Sequence, residues 1–257
     1  MNKAIMFSRA AVIPLSALAV IIPAWASPNI TDVVETGGDN EATDTITAKW
    51  TGQTWNATVA GEPAVGLAIG DPYTAPVFGD KVAMFVDRAH QWVNATDTLA
   101  IPFYLVGQEY IMSGNDNRDN AGYKLDITLA FDSTVYLLVD DRLSDGDNLT
   151  PPTFGPTSMQ WVMDQGWTPV ATGANRFADP TRPDHVGIDE SANGTIDQWA
   201  SVYAKNVPAG TISLLQADNA GRNMYGVVVA QIPEPTTLAL LGLGGLGLLA
   251  RGRRSKA

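Results

Sequence analysis

Oxygen-bearing side chains alternate along one short segment of this acidic chain. Asp189, Ser191 and Asn193 come first, and Asp197 follows after Gly194. Carboxylate, amide, hydroxyl and carbonyl oxygens are the ligands that Ca²⁺ takes in proteins. The spacing therefore indicates calcium binding as the first chemistry to consider.

The same segment resembles a calcium loop of the EF-hand or dockerin type, which has oxygen ligands at positions 1, 3, 5 and 9 and a glycine at position 6. The resemblance implies side-chain ligands at Asp189, Ser191, Asn193 and Asp197 and a carbonyl ligand at Thr195. Ala200 stands at position 12, where the pattern has a bidentate acid, so a site would be weak, with roughly millimolar affinity. The alternative is a polar β-turn with Asn193-Gly194 at its tip.

Two further loops are rich in oxygen side chains, at residues 140–148 and 115–120. They flank a predicted hairpin over Tyr123–Val139, so we expect them at the same end of the domain. A shared cation site is one interpretation. The other is that Arg118 and Arg142, which lie among these acids, neutralise them.

Nucleophilic catalysis finds little support. The chain has no cysteine, its histidines are His90 and His185, and no serine lies in a G-x-S-x-G motif. Glycoside hydrolysis uses a pair of carboxylates. The chain has many carboxylates, but none of them lies in a recognisable motif. We therefore predict that the domain is not an enzyme, with a secreted carbohydrate-active enzyme as one alternative.

Aromatic side chains offer a second binding chemistry, because tryptophans stack on sugar faces in carbohydrate-binding modules. Trp50 and Trp55 lie on neighbouring candidate strands, and we expect both in the core. Trp161 and Trp167 flank a glycine turn beside a proline-rich loop, and we expect them to be the exposed pair. They are the candidate carbohydrate-binding residues.

The elements that must position these residues are mostly strands. Tyr123–Ala130 alternates apolar and polar side chains, and further candidate strands include Thr134–Val139, Leu99–Val106 and Met224–Ala230. One short helix is predicted over Thr157–Gly166, with Thr157 and Gln160 as a capping box. The fold class is all-β, an antiparallel β-sandwich that is jelly-roll-like. The sandwich is assigned to residues 45–231, after a segment at 27–44 that is either a polar leader or a first edge strand.

The C-terminal end has three parts in a fixed order. Pro233-Glu234-Pro235 is extended, because proline restricts its own φ and the residue before it. Residues 236–250 are apolar but glycine-rich, and as a helix they would span about 22 Å of a hydrocarbon core of about 30 Å. Arg251, Arg253 and Arg254 then form a basic stop that leaves everything before it outside the cytoplasm.

Residues 232–257 resemble the PEP-CTERM sorting signal, in which a Pro-Glu-Pro box precedes a Gly/Leu-rich span and an Arg-rich end. The resemblance implies that an exosortase, a membrane-embedded cysteine transpeptidase, processes the chain at the box in a bacterium that makes exopolysaccharide. The alternative is an ordinary tail anchor.

Three segments that begin at Asp87, Val139 and Arg222 are similar to parts of other ectodomains with this tail, without an assigned activity. In two of these segments an acid and an arginine follow an apolar run. The repetition is either a recurring salt bridge at the end of a strand or chance.

The N-terminal end indicates export. Residues 1–26 have a basic start, an apolar core and a cleavage site for signal peptidase, with small residues at Ala24 and Ala26 and a mature start at Ser27. An N-terminal membrane anchor is the alternative. We expect transient attachment to the inner membrane by the C-terminal helix, followed by display at the cell surface, on the outer membrane or in the extracellular matrix.

Charge and composition narrow the function further. Ten of the 16 basic residues and 26 of the 27 acidic residues lie in residues 27–232, which gives this part a net charge of about −16. Nucleic acid is excluded as a partner, because phosphate contacts need clustered Lys and Arg. We expect a surface or matrix protein with a structural or adhesive domain, possible partners being exopolysaccharide and Ca²⁺. The main alternative is a carbohydrate-binding module.

Overall fold

A computed structural model of the chain describes residues 28–38, 48–57, 67–217 and 221–233. The predicted signal peptide at 1–26, the predicted membrane helix at 236–250 and the basic tail at 251–257 lie outside these ranges. Within them, no helix combines the length and the apolar character that crossing a bilayer requires.

Strands dominate the described residues and confirm the all-β class. The strands of the large sheet are β2 (Lys49–Trp50), β5 (Val82–Ala83), β6 (Gln91–Val93), β7 (Glu109–Met112), β9 (Ser133–Asp140), β10 (Thr168–Pro169), β11 (His185–Asp189), β12 (Gln198–Val207) and β14 (Gly226–Gln231). Their order in the sheet is β2-β7-β14-β9-β12-β11-β6-β5, and β10 also pairs with β12.

A small sheet has the order β1-β8-β13, with strands β1 (Ile30–Thr36), β8 (Lys124–Leu129) and β13 (Gly210–Leu215). A separate hairpin joins β3 (Thr54–Asn56) to β4 (Pro72–Thr74). Every pair of these named strands is antiparallel.

The alternation in β8 explains how the small sheet contributes to the core. Leu125, Ile127 and Leu129 are buried, whereas the polar residues between them are partly exposed, as the sequence predicts. Tyr225, the residue before β14 of the large sheet, donates a hydrogen bond of 2.8 Å from its hydroxyl to the Leu215 carbonyl of β13. The two sheets therefore share one hydrophobic core.

The large sheet curls back on itself around Trp92. The indole of this β6 residue donates a hydrogen bond of 2.7 Å to the hydroxyl of Tyr110 on β7, several strands away. Phe78 packs at 5.3 Å from the Tyr110 ring. Gly226 on β14 leaves room for the indole, since a Cβ there would lie 2.4 Å from a Trp92 ring carbon. Any side chain at this position would displace the indole.

Strand register divides the domain into two ends. At the proximal pole, Ser133 at the start of β9 pairs with Gln231 at the end of β14 and Val207 at the end of β12. At the distal pole, Asp140 at the end of β9 pairs with Ala200 near the start of β12. Both chain termini of the domain therefore lie at the proximal pole, and the predicted loop clusters lie at the distal pole.

Several sequence predictions need correction. The segment at 27–44 contains β1, an edge strand of the small sheet, so the folded domain begins before residue 45. Leu99–Val106 forms turns instead of a strand, because the Leu105 amide donates to the Pro102 carbonyl at 3.0 Å and the Gln108 amide donates to the Leu105 carbonyl at 3.2 Å. Residues 27 and 39–44 of the proposed leader are outside the described ranges.

The helix α1 (Gln160–Asp164) is shorter than predicted. Met159 precedes it with a φ of 52°, in the left-handed region, and as the N-cap residue it makes no side-chain capping hydrogen bond. Gly155 and Ser158 instead exchange backbone hydrogen bonds of 3.0 and 2.9 Å. This local bridge replaces the predicted capping box.

Candidate functional site

The Pro-Glu-Pro sequence at 233–235, which we call the sorting box, follows the folded domain almost without a linker. Gln231 is the last residue of β14 and pairs with Ser133, and the Ile232 amide donates a hydrogen bond of 2.8 Å to the Asp132 carbonyl. Pro233 follows and is exposed. Two residues reach at most about 7 Å, so the box begins within that distance of a central strand. Glu234 and Pro235 lie beyond the described residues.

The N-terminal end of the domain closes on the same turn. Asn29, which is 4% exposed, donates a hydrogen bond of 2.8 Å from its side-chain amide to the Ser133 hydroxyl. Its side-chain oxygen accepts the Phe131 amide at 3.1 Å, and its carbonyl accepts the Ala130 amide at 2.8 Å. One asparagine thus connects the start of β1 to the turn between β8 and β9, where the sorting box also emerges.

A carboxylate completes this proximal seam, which comprises Asn29, Glu109, residues 130–133 and residues 231–232. Glu109 Oε2 accepts the backbone amides of Asn29 at 2.9 Å and of Ile30 at 3.1 Å. Burial raises the pKa of Glu109, and the two amide hydrogen bonds oppose that rise. Beside the seam is a cleft of about 250 Å³ whose lining includes Val77 and Gln231.

The distal pole holds its loops together mainly by ionic contacts. Asp140 is bound by Arg142 at 2.6 Å, and the same guanidinium lies 3.2 Å from Glu190 on the β11–β12 loop. Asn223 joins the group, since its amide donates to Asp140 at 3.3 Å. The predicted salt bridge at the end of this strand is therefore present.

A second ionic group lies at the same pole. Asp87 accepts the backbone amides of Asn115 at 2.8 Å and of Asp116 at 3.2 Å, and it lies 3.2 Å from Arg88. Burial raises the pKa of Asp87, whereas the Asn115 amide and the Arg88 charge lower it. Arg118 lies 2.8 Å from Asp116. The arginines thus neutralise the acids of the loop at 115–120, as one of the two interpretations predicted.

These contacts bring together the three segments that resemble parts of other ectodomains with this tail. Asn115 links the segment that begins at Asp87 to the segment that begins at Arg222, because its backbone amide donates to Asp87 while its side-chain oxygen accepts the Met224 amide at 2.8 Å. The segment that begins at Val139 joins them through Asp140, which accepts the backbone amide of Asn223. The distal network is therefore a single construction assembled from sequence-distant loops.

The predicted calcium loop forms the connection between β11 and β12. The buried Asp189 carboxylate accepts the amides of Ser191 at 3.1 Å, Asn193 at 3.2 Å and Gly194 at 2.6 Å. Asp197 Oδ2 accepts the Glu190 amide at 2.8 Å. These bonds favour the polar-turn alternative, because both carboxylates already hold the loop backbone.

The remaining predicted ligands lie on the outside of this loop. Ser191, Asn193 and Thr195 are exposed, and the Asn193 side-chain oxygen accepts the Thr195 amide at 2.8 Å. Within the described ranges, no three His, Asp or Glu side chains are grouped so as to hold a metal ion. Calcium binding by the loop stays a prediction.

A polar groove of about 530 Å³ runs beside the loop. Asp80, Asn94 and Asp97 form one side of it, and Asp189 and Asn193 form the other. The lining of this groove offers hydrogen-bonding groups without an aromatic ring.

A buried acid and histidine were not foreseen from the sequence. Asp141 and His185 are each 1% exposed, with 3.5 Å between Asp141 Oδ2 and His185 Nε2. The Ser201 hydroxyl donates a hydrogen bond of 2.6 Å to Asp141 Oδ1. Burial raises the pKa of Asp141 to about 8 and lowers the pKa of His185 to about 4.

This trio is not arranged for nucleophilic catalysis. Ser201 is fully buried, and its hydroxyl donates its hydrogen bond to the Asp141 carboxyl group instead of to the imidazole of His185. A serine nucleophile needs an adjacent base that accepts its proton. The pairing of β11 with β12 brings His185 opposite Ser201, which no local pattern in the sequence indicates.

A stack of aromatic rings and guanidinium groups covers the buried pair. The Arg176 guanidinium lies 3.7 Å from the Trp199 ring centroid and 4.7 Å from that of Phe177, and Arg182 lies 4.4 Å from the Phe177 ring. Arg176 also donates to the Asn148 carbonyl and Arg182 to the Leu149 carbonyl. The stack therefore fastens the segment at 175–182 to the loop at 140–150.

The predicted carbohydrate-binding tryptophans are not exposed. Trp161 and Trp167 are each 6% exposed, and their rings meet edge to face at 6.4 Å. Trp161 also packs at 5.7 Å from Tyr225 and donates a hydrogen bond of 2.8 Å to the Gln216 carbonyl. The prediction of an exposed pair is wrong, because α1 folds onto the core instead of projecting from it. Trp50 is buried as predicted, and Trp55 is partly buried against Tyr73.

The remaining predicted site residues are terminal. Ala24, Ala26 and Ser27 of the signal cleavage site and Arg251, Arg253 and Arg254 of the membrane stop lie outside the described ranges. Of the sorting box, only Pro233 is described, and it is exposed at the proximal pole.

Comparison with known proteins identifies the C-terminal segment. The family model of the PEP-CTERM protein-sorting motif matches residues 231–254. No curated protein and no solved structure matches the chain. The chain therefore carries a PEP-CTERM sorting motif, which directs export and processing by an exosortase.

Proposed function

We propose that this PEP-CTERM chain is a cell-surface or extracellular-matrix protein whose β-domain has a structural or adhesive, non-enzymatic role. Signal peptidase would remove residues 1–26, the segment at 236–250 would hold the chain transiently in the inner membrane, and an exosortase would then process it at the Pro-Glu-Pro box. The curled antiparallel sheets support a jelly-roll-like sandwich as the displayed body.

One observation carries the proposal. The sorting box begins two residues after β14 ends at the proximal pole, while the ionic loops lie at the opposite end of the same strand. A chain held at the box would therefore direct its distal pole away from the membrane. Such an orientation suits a module that meets other surface material with its distal loops.

Replacement of the box in the native host tests the sorting role. Pro233→Ala, Glu234→Ala and Pro235→Ala together should leave a membrane-bound chain that still ends at Ala257, whereas the parent loses its tail. Intact mass spectrometry of the membrane and surface fractions distinguishes the two forms. Pro151→Ala with Pro152→Ala provides the control, because it removes two prolines from a distal loop and should leave processing unchanged. Tail removal from the triple variant would contradict the sorting role.

A calcium-assisted carbohydrate-binding module is the second candidate. The polar groove beside the Asp189–Asp197 loop supports it, since the groove brings amide and carboxylate groups together on an outward surface. With a millimolar site, 10 mM Ca²⁺ would stabilise the mature protein by about 1.4 kcal/mol. A thermal unfolding midpoint that EDTA and Ca²⁺ leave equal would argue against a site of that affinity. A glycan array that shows no binding with either addition would remove the carbohydrate-binding candidate.

A further inference from the structure

The proximal pole carries apolar side chains around the chain exit. Val77 is 48% exposed and Val106 is 50% exposed. Val77 and Gly107, the neighbour of Val106, line the same cleft as Gln231 at the end of β14. Pro208, in the turn between β12 and β13, and Pro233 are exposed at this end as well. We refer to Val77, Val106, Pro208 and Pro233 as the proximal apolar surface.

Chain length limits how far this surface can move from the bilayer. Ile232 is hydrogen-bonded to Asp132, and the apolar stretch begins at Leu238. Six residues lie between Gln231 and Leu238, and the seven steps from one to the other span at most about 25 Å in a fully extended chain. We call the predicted membrane helix at 236–250 the membrane stem. When the stem is inserted in the bilayer, it holds the proximal pole beside the lipid headgroups and gives this pole a high effective concentration at the membrane surface.

Charge favours the same orientation. Asp145 and Asp147 are exposed on the loop that follows β9 at the distal pole, in addition to the acids there that are paired with arginine. The acids of the proximal seam are Glu109, which is partly buried against backbone amides, and Asp132. Anionic lipids repel the more acidic end of a tethered body, and exposed apolar groups gain by leaving water. Both effects turn the proximal pole toward the membrane.

We infer that the proximal apolar surface rests on the lipid headgroup region of the bilayer while the stem is inserted. This inference depends on the membrane stem in the proposed function. Before processing, the β-domain then keeps one orientation, in which the Pro-Glu-Pro box lies at the membrane surface and the distal network faces outward.

Site-specific fluorescence on the full chain tests the contact, because the chain contains no cysteine that would compete for a label. Val77→Cys and Val106→Cys place the polarity-sensitive fluorophore NBD on the proximal apolar surface. Leu149→Cys is the matched control, since this distal side chain is 59% exposed. Each labelled chain is reconstituted into vesicles of phosphatidylcholine and phosphatidylglycerol, and flotation measures whether the chain is anchored. Equal thermal midpoints for the variants and the parent show that the fold is retained.

The expected result is that all three chains float with the vesicles. Labels at 77 and 106 should emit at shorter wavelength than in detergent and lose most of their quenching by iodide, whereas the label at 149 remains accessible. Equal accessibility at all three positions in floating chains would overturn the inference and leave the stem intact. Chains that do not float would overturn the stem and the inference with it. If protection of the labels at 77 and 106 from iodide increases with protein concentration in detergent, a second copy of the chain covers the surface. If the label at 149 is also protected in vesicles, the proposed orientation is wrong.

Discussion

The two poles of this domain are held together in different ways. The proximal seam is built mainly from uncharged hydrogen bonds around Asn29 and Ser133. The distal pole depends on buried carboxylates that are paired with arginine, chiefly Asp140 with Arg142. Neutral bonds tolerate the loss of one partner better than buried ions do, because an unpaired buried charge has a large desolvation cost. The distal pole is therefore the more demanding of the two constructions.

Loss of Arg142 should have the largest effect on stability. Arg142→Ala leaves the Asp140 carboxylate buried, with a fully covered side chain, and without its cation. We expect a decrease of about 3–5 kcal/mol in the free energy of unfolding, measured by urea denaturation of the mature protein. Lys124→Ala is the control, because its ion pair with Asp126 is partly exposed and should contribute less than about 1 kcal/mol. Equal losses for both variants would erase the proposed contrast between buried and exposed pairs.

The proximal seam should respond more moderately. Asn29→Ala removes the hydrogen bonds to Ser133 and Phe131 and leaves buried polar groups unpaired, which should cost about 1–3 kcal/mol. Thr31→Ala removes one exposed hydrogen bond from the same strand and should change stability by less than about 0.5 kcal/mol. Urea denaturation under the same conditions compares them with Arg142→Ala. A loss from Asn29→Ala that exceeds the loss from Arg142→Ala would reverse the comparison.

The pH dependence of stability should reveal the buried pair beneath the aromatic stack. The folded state raises the pKa of Asp141 to about 8, so its proton stabilises the fold below pH 4 and this contribution is lost as the pH rises through 8. His185 acts in the opposite sense. Its pKa is lowered to about 4, so its contribution is complete above pH 6.5 and is lost as the pH falls toward 4. The two effects oppose each other between pH 4 and 6.5, and Asp141 alone acts above that range.

Between pH 6.5 and 8.5 the parent protein should therefore lose about 1–2 kcal/mol of unfolding free energy because of Asp141. Asp141→Asn cannot lose a proton and should remove this decline, as measured by urea midpoints at the two pH values. Asp97→Asn, at an exposed position, should retain it. If the Asp141→Asn protein declines as steeply as the parent, another group accounts for the titration.

Local chemistry made part of this structure predictable. The alternation in Tyr123–Ala130 predicted β8 and its buried face. The acid and arginine after two apolar runs left a salt bridge and chance as alternatives, and the structure shows the ion pairs. The sorting motif was also recognisable, because its three parts are contiguous and depend on residue type alone. These features share a short range along the chain.

Features that depend on distant residues were missed. All five residues of β11 are buried, because other strands and loops cover both faces, so no alternation marks this strand. Trp161 and Trp167 looked exposed beside a proline-rich loop, yet packing against Tyr225 buries Trp161 and edge-to-face contact covers Trp167. The seam between Asn29 and Ser133 joins residues 104 positions apart, and the contact of His185 with Asp141 likewise needs the folded sheet.

The central position of β14 has a mechanical consequence. The strand leads directly to the sorting box and pairs with β7 on one side and β9 on the other. A pull applied between the C-terminal end of the domain and its distal loops would run along the axis of β14, across ladder hydrogen bonds that lie perpendicular to it. Those bonds would share the load in shear instead of opening one after another.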